Sequence, residues 1–99
     1  MAYKIVVSLK AQIEIEKAIE YYAFNSSIAP QRFINMLKLS YDILAINPFL
    51  NIRYKNIRAL KIRKFPYSLY FIVDEIQYTV KVLACFQNKK NPNKRPNYL

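Results

Sequence analysis

This sequence of 99 residues predicts one α+β domain with the element order β-α-α-β-β-β. Apolar residues recur at helical spacing in the first half of the chain and alternate with polar residues in much of the second half. A chain of this length can bury one modest core, and its hydrophobic fraction of 54% is sufficient for that core. We therefore expect a small antiparallel sheet packed on an antiparallel helical hairpin, with the domain at residues 1–88 and a basic tail at 89–99.

A strand and a helix are predicted before residue 26. Tyr3–Val7 is a short apolar run with β-branched residues, which is typical of a strand. Ser8 can serve as N-cap of a helix over residues 10–25, and Asn25-Ser26-Ser27 ends that helix. Its buried stripe is predicted at Ile15, Ala18, Ile19 and Tyr22. Glu14, Glu16 and Glu20 are interpreted as its polar face.

A second helix is predicted from about Pro30 to Asn47-Pro48. Proline in a first helical turn costs little because the N–H it lacks has no partner there, and either preceding serine can cap the helix. The core stripe of this helix is predicted at Phe33, Leu37, Tyr41 and Leu44. Two helices with so short a connection should form an antiparallel hairpin.

Three strands are predicted at about residues 58–65, 67–74 and 78–86, after an irregular passage at 48–57. Asp74-Glu75-Ile76-Gln77 is the predicted hairpin connection between the last two strands. In the first of these strands, alternation directs Leu60 and Ile62 to the core. It directs Lys61 and Arg63 outward together, about 6.6 Å apart. By the same alternation Tyr70 and Phe71 face opposite ways, so one of them should lie in the core. Cys85 should be a small buried or half-buried side chain.

The formal net charge of +10 is unevenly distributed along the chain. Residues 1–52 carry five basic and four acidic side chains, whereas residues 53–99 carry eleven basic and two acidic ones. Six of the cations fall within twelve positions: Arg53, Lys55, Arg58, Lys61, Arg63 and Lys64. Such a concentration indicates one positive surface that attracts an anionic partner or an acidic protein.

Missing residue types exclude several kinds of chemistry. The chain has no histidine, which excludes a histidine general base, a catalytic triad and any histidine-containing zinc site. It has no glycine, which excludes a Walker loop and a dinucleotide-binding fingerprint. We therefore expect no cofactor and no metal.

The expected location is the cytoplasm. Cys85 is the single cysteine, which leaves no internal disulfide and fits a reducing compartment. No apolar run approaches the roughly 18 residues of a membrane-spanning helix, and the opening segment is too short for a secretory signal. We expect no membrane partner.

Several segments resemble the RelE/ParE superfamily of bacterial toxins from toxin–antitoxin systems. The clearest is residues 64–75, Lys-Phe-Pro-Tyr-Ser-Leu-Tyr-Phe-Ile-Val-Asp-Glu. Shorter similarities lie, in family order, at Glu20-Tyr21-Tyr22, Ala29-x-x-Arg32-Phe33, Leu44-x-x-Asn47-Pro48 and Val82-Leu83-Ala84-Cys85-Phe86. The resemblance runs nearly the whole chain and implies a small antiparallel sheet curved around a helical pair.

The resemblance implies growth arrest and neutralisation by a cognate antitoxin, usually encoded beside the toxin. RelE-like branches cut mRNA in the ribosomal A site, and ParE-like branches poison DNA gyrase. Many relatives have His-x-x-Arg-Asn-Pro after the last strand, where this chain has Gln87-Asn88-Lys89-Lys90-Asn91-Pro92. Histidine-assisted cleavage is therefore not available, and the pattern is nearer to the ParE-like side. A ribosome-dependent endoribonuclease and a non-toxic nucleic-acid-binding module stay open as alternatives.

The candidate site residues follow from the charge pattern and the resemblance. The set expected to bind the target or the antitoxin is Arg58, Lys61, Arg63, Lys64, Tyr67, Tyr70, Lys89 and Lys90. For a RelE-like enzyme, Lys61 or Lys64 would act as base and Arg63 would stabilise the charge of the transition state. Tyr67 or Tyr98 would stack on a base. In the simplest alternative, Lys61 and Arg63 are only the solvated face of a strand.

Overall fold

A computed structural model of the chain describes residues 2–49 and 52–88, with the backbone alone at residue 53. The elements run in the order β1 (Lys4–Val7), α1 (Leu9–Asn25), α2 (Ala29–Ile46), β2 (Ile52–Tyr54), β3 (Ile57–Lys61), β4 (Tyr67–Asp74) and β5 (Thr79–Gln87). Within the described ranges the strands form one five-stranded sheet in the order β1-β5-β4-β3-β2. The predicted α+β class and the packing of a sheet on a helical pair are confirmed.

The helix ends follow from local hydrogen bonds. Ser8 caps α1 as predicted, because its Oγ accepts a hydrogen bond from the Ala11 N–H at 3.1 Å. Ser26 Oγ accepts from the N–H groups of Ile28, the N-cap of α2, and Ala29, each at 3.2 Å, and so satisfies two N–H groups at the start of α2. Residues 26–28 alone connect the helices, and ring contact between Tyr22 and Phe33 at 5.5 Å joins the end of α1 to the start of α2.

One strand pairing differs from the prediction. The antiparallel pairs are β2–β3, β3–β4 and β4–β5, but β1 pairs with β5 in parallel, with Ile5 opposite Val80. The parallel direction lets α1 begin beside β5 where β1 ends. The Ser8 N–H donates to the Val82 carbonyl at 2.9 Å, and Ser8 Oγ donates to the Leu83 carbonyl at 3.0 Å. The sheet is therefore mixed.

Two strand boundaries also differ. The predicted strand at 58–65 ends at Lys61, and residues 62–66 form the β3–β4 turn. The Ile62 N–H donates to the Tyr67 carbonyl at 2.8 Å, which closes this turn. The passage at 48–57 is not wholly irregular, because residues 52–54 pair with β3 as an edge strand with a register shift.

The core lies between the helices and one face of the sheet, called here the helix-side face. Leu69, Phe71, Val80 and Val82 occupy this face and are fully buried. Of the predicted stripes, Phe33, Leu37 and Leu44 are buried, while Tyr22 and Tyr41 pack on the core from its margin. Phe71 is in the core and Cys85 is buried, as predicted. Tyr70 lies on the opposite face, called here the outer face.

Candidate functional site

Three of the predicted cations lie together at one end of the sheet. Lys61 is the last residue of β3, and Arg63 and Lys64 belong to the β3–β4 turn; all three are exposed. Lys64 and Arg32 of α2 line the same pocket, which brings a fourth exposed cation to this end. We call Arg32, Lys61, Arg63 and Lys64 the basic end. Sequence reasoning noted Arg32 only as part of a motif, since no periodic pattern connects it with residue 64.

The geometry of Lys61 and Arg63 is not the one predicted. Lys61 lies on the outer face opposite Ser68, whereas Arg63 has left the strand and lies in the turn, so strand alternation does not align the two side chains. Lys61 Nζ donates to the carbonyls of Phe65 at 3.0 Å and Ile62 at 3.4 Å. Its ammonium therefore binds the turn back onto the strand.

Arg58 does not belong to the basic end. It pairs with Phe71 across β3–β4, on the face opposite that of Lys61 and about 10 Å away along the strand. Its guanidinium carbon lies 5.3 Å from the centre of the Phe49 ring, a cation–π contact, and the residue is half-buried. The cations at positions 58, 61, 63 and 64 thus divide between two places on the molecule. The prediction of a single continuous patch is wrong for Arg58.

Tyr67 is part of the aromatic margin of the core. Its ring centre lies 5.6 Å from that of Phe33 and 6.2 Å from that of Tyr22, and both pairs meet edge to face. Burial raises the pKa of Tyr67, and the neighbouring Cys85 and Tyr21 raise it further. A ring held in this way supports the end of the β3–β4 turn from the core.

Tyr70 belongs to an aromatic cluster on the outer face. Its ring centre lies 5.6 Å from that of Phe86, which is 47% exposed. Lys10 Nζ lies 4.4 Å from the centre of the Phe86 ring. Tyr70, Phe86 and Lys10 therefore form a small aromatic and cationic surface. Phe86 and Lys10 were not among the predicted site residues, because their contact depends on the way α1 passes the end of β5.

Glu14 has a structural role that the helical pattern did not indicate. Beyond Val82, β5 has no paired residue of β1, and Glu14 Oε1 accepts the Cys85 N–H at 2.8 Å. Glu14 Oε2 accepts from Lys10 Nζ at 2.7 Å. Glu14 therefore has a contact with β5 that its assignment to the polar face of α1 does not include. Burial raises the pKa of the Cys85 thiol to about 12, with a smaller contribution from the Glu14 charge.

Asn88, the last residue that the structure describes, is fixed beside the β3–β4 turn. The Asn88 N–H donates to the Pro66 carbonyl at 2.7 Å, and Ser68 Oγ donates to Asn88 Oδ1 at 2.9 Å. Lys89, Lys90 and Tyr98 lie outside the described residues.

No metal site is evident in residues 2–49 and 52–88, because no group of three or more Cys, Asp or Glu side chains could hold an ion there. In the same ranges, neither helix is long and apolar enough to cross a membrane.

Solved structures similar to this chain include toxins and complexes of toxin–antitoxin systems. A chain of the chromosomal ParDE system from P. aeruginosa superposes with a TM-score of 0.75 at 12% identity, covering 89% of this chain and 98% of that one. The isolated E. coli RelE toxin gives a TM-score of 0.68 at 18% identity, covering 93% and 90% of the two chains. A chain of the E. coli RelBE toxin–antitoxin complex gives 0.65 at 18% identity, covering 90% and 100%.

The sequence itself has no such matches. No protein-family model matches it, and no curated protein does. The chain therefore has the RelE/ParE toxin fold, as the residue pattern predicted, at sequence identities that establish the fold alone.

Proposed function

We propose that this protein is the toxin of a type II toxin–antitoxin pair and arrests growth by binding a macromolecular target, with DNA gyrase as that target. A cognate antitoxin would neutralise it, and the cytoplasm would be its place of action. The carrying observation is the RelE/ParE fold with a cationic surface at one end of its sheet. The ParDE, RelE and RelBE chains compared above each cover at least 89% of this chain.

A binding mechanism fits the basic end better than a catalytic one. General base catalysis requires a side chain within hydrogen-bond reach of the proton it removes, with free capacity to accept that proton. Lys61 donates to two carbonyls of the turn that follows it, which gives the ammonium a structural task. Arg63 lies in the turn after the end of β3, so strand geometry does not align its side chain with that of Lys61. Binding requires no proton transfer, only positive charge on a fixed surface.

The ribosome-dependent endoribonuclease is the second candidate, and the outer face favours it. Tyr70, Phe86 and Lys10 place aromatic rings and a cation side by side, which is the composition that holds single-stranded nucleic acid. Under this alternative, Lys61 on the same face would contact the phosphate backbone.

Induction of the gene alone, followed by two assays with purified protein, tests the proposal. We expect growth arrest with filamentation, inhibition of gyrase supercoiling in vitro, and normal protein synthesis in a cell-free translation system. Cleavage of mRNA at ribosome-bound codons would replace the gyrase target with the endoribonuclease activity. Normal growth at a verified protein level would overturn the toxin assignment.

Charge variants then locate the working surface. Lys61→Ala and Arg63→Ala should each relieve growth arrest, whereas Lys38→Ala, which removes an exposed cation of α2, should not. Circular dichroism of each variant checks that the fold is kept. If both turn variants remain fully toxic while folded, the basic end does not contact the target.

A further inference from the structure

A pocket of about 600 Å³ opens between the first half of α2 and the β3–β4 turn. Its lining residues are Ala29, Arg32, Asn35, Met36, Lys64 and Phe65. Two of the six are cations, one is an amide, and three are apolar. A pocket of this size accommodates one or two side chains of another molecule.

The two cations of the pocket have no partner in the parts of the chain that the structure describes. The carboxylates of Glu14 and Asp74 form ion pairs with Lys10 and Lys81, at 2.7 and 3.8 Å. The guanidinium of Arg32 and the ammonium of Lys64 make no hydrogen bond or ion pair within residues 2–49 and 52–88. These cations keep their full capacity to bind an anion.

The floor of the pocket is apolar and belongs to the core. Phe65 is half-buried, and its ring meets those of Tyr22 and Phe33 edge to face at 5.1 and 5.2 Å. Met36 is also half-buried, and its flexible thioether adapts to different apolar groups. The pocket therefore offers an apolar surface next to positive charge.

Hydrogen bonds hold the turn side of the pocket in place. The Phe65 N–H donates to the Ile62 carbonyl at 3.2 Å, and Lys61 Nζ donates to the Phe65 carbonyl. The neighbouring Pro66 carbonyl accepts from Asn88. Because these hydrogen bonds already order the turn side of the pocket, a ligand would bind it at a lower entropic cost.

We propose that this pocket binds an acidic side chain of a partner protein together with an adjacent apolar side chain. The guanidinium of Arg32 matches a carboxylate in two-point geometry, and Lys64 adds a second charge. The edge-to-face contacts of Phe65 with Tyr22 and Phe33 hold its ring in the margin of the core. Ile28, which precedes the lining residue Ala29 in the chain, is apolar and 55% exposed.

The inference extends the proposed function, under which the neutralising antitoxin would supply the acidic segment. The recognition itself is tested without toxicity. We would titrate the ¹⁵N-labelled full chain with the capped peptide Ac-Glu-Ala-Leu-Glu-NH2 and with its Gln-Ala-Leu-Gln counterpart. We expect saturable shifts at the backbone amides of Ala29–Met36 and Lys64–Phe65, with affinity for the Glu peptide at least tenfold higher.

Four variants give the matched comparison. Arg32→Ala should weaken binding of the Glu peptide at least tenfold, and Lys64→Asn should do the same while tolerating the left-handed backbone at this position. Lys17→Ala, an exposed cation of α1, should leave the affinity unchanged. Arg32→Glu should restore binding to a peptide with Lys in place of Glu, which shows direct charge contact.

The contrary outcomes are as specific. Equal binding of the Gln peptide, shifts confined to the outer face, or equal response to inorganic phosphate at the same concentration would each overturn the inference. So would stronger shifts of the pocket amides with single-stranded oligouridine, which would assign the pocket to nucleic acid. Peptide binding by a protein that does not arrest growth would overturn the proposed function alone. Growth arrest without peptide binding would overturn the pocket alone.

Discussion

Replacing Glu14 with alanine should lower the free energy of unfolding by about 2 kcal/mol. The carboxylate accepts the backbone N–H of Cys85 at 2.8 Å, at a residue that is 3% exposed. Hydrogen bonds to a charged acceptor contribute about 1.5 to 3 kcal/mol. The Glu14 side chain is 22% exposed, so water can partly replace it and the lower half of that range applies.

Three matched variants separate this hydrogen bond from other effects at the same helix. Glu14→Gln keeps an acceptor oxygen and should cost about 1 kcal/mol or less. Lys10→Ala removes the exposed ion pair with Glu14 and should cost less than about 1 kcal/mol. Glu16→Ala, on the exposed side of α1, should stay within about 0.5 kcal/mol of the parent protein.

Urea unfolding followed by circular dichroism measures the free energies, and hydrogen exchange of the Cys85 amide gives the local readout. For a domain of this size, 2 kcal/mol corresponds to a fall in Tm of about 8 to 16 °C. The Cys85 amide should exchange faster in Glu14→Ala than the change in global stability explains. If Glu14→Ala matches Glu16→Ala in stability and the Cys85 amide stays protected, the hydrogen bond from Cys85 to Glu14 does not stabilise the fold.

Three further changes test the core and the helix start. Between about pH 9 and 12 the protein should lose stability, because the unfolded thiol ionises near 9.0 while burial raises the pKa of Cys85 in the fold to about 12. The variant Cys85→Ala should lose less stability over the same pH range. Part of the loss should remain in that variant, because burial also raises the pKa of Tyr41 to about 12. Equal losses would mean that Cys85 is exposed. Ser8→Ala should cost about 1 to 2 kcal/mol in urea unfolding, and a neutral result would contradict the capping role. Phe33→Ala should cost about 3 to 5 kcal/mol in the same assay, and less than 1 would place Phe33 outside the core.

The helical half of the fold was predictable because its signals are local. The apolar residues from Phe33 to Leu44 recur at the spacing of one helix face, which predicts a helix. Ser8 marks the start of α1 and Asn47 the end of α2, each through a hydrogen bond to a residue three or four positions away. The β4–β5 hairpin was predictable for the same reason. Asp74 Oδ1 accepts from the N–H groups of Ile76 and Gln77, both at 3.1 Å, which is local turn chemistry that the residue type indicates.

The rest depends on contacts between distant parts of the chain. The parallel pairing of β1 with β5 follows from hydrogen bonds that join Ser8 to Val82 and Leu83, and no pattern within β1 contains that information. In the helical pattern of α1, the position of Glu14 is the same as that of a solvated glutamate. Its structural role depends on the hydrogen bond that it accepts from the distant Cys85 N–H. At the candidate site, Arg32 meets Lys64 because α2 returns to the β3–β4 turn.

The position of the β3–β4 turn was missed for a different reason, which lies in the absence of glycine from the chain. In a sequence, glycine usually marks a turn that requires left-handed backbone, because that conformation costs other residues roughly 1 kcal/mol or more. Here the positive φ angles fall on Lys55, Lys64 and Tyr78, at 52°, 71° and 50°. None of these residue types indicates a turn, so the alternation of Leu60 to Arg63 was extended as strand to residue 65. Lys64 is both a residue with left-handed backbone in this turn and a lining residue of the pocket. Because asparagine tolerates left-handed backbone, Lys64→Asn removes the charge from the pocket without straining the turn.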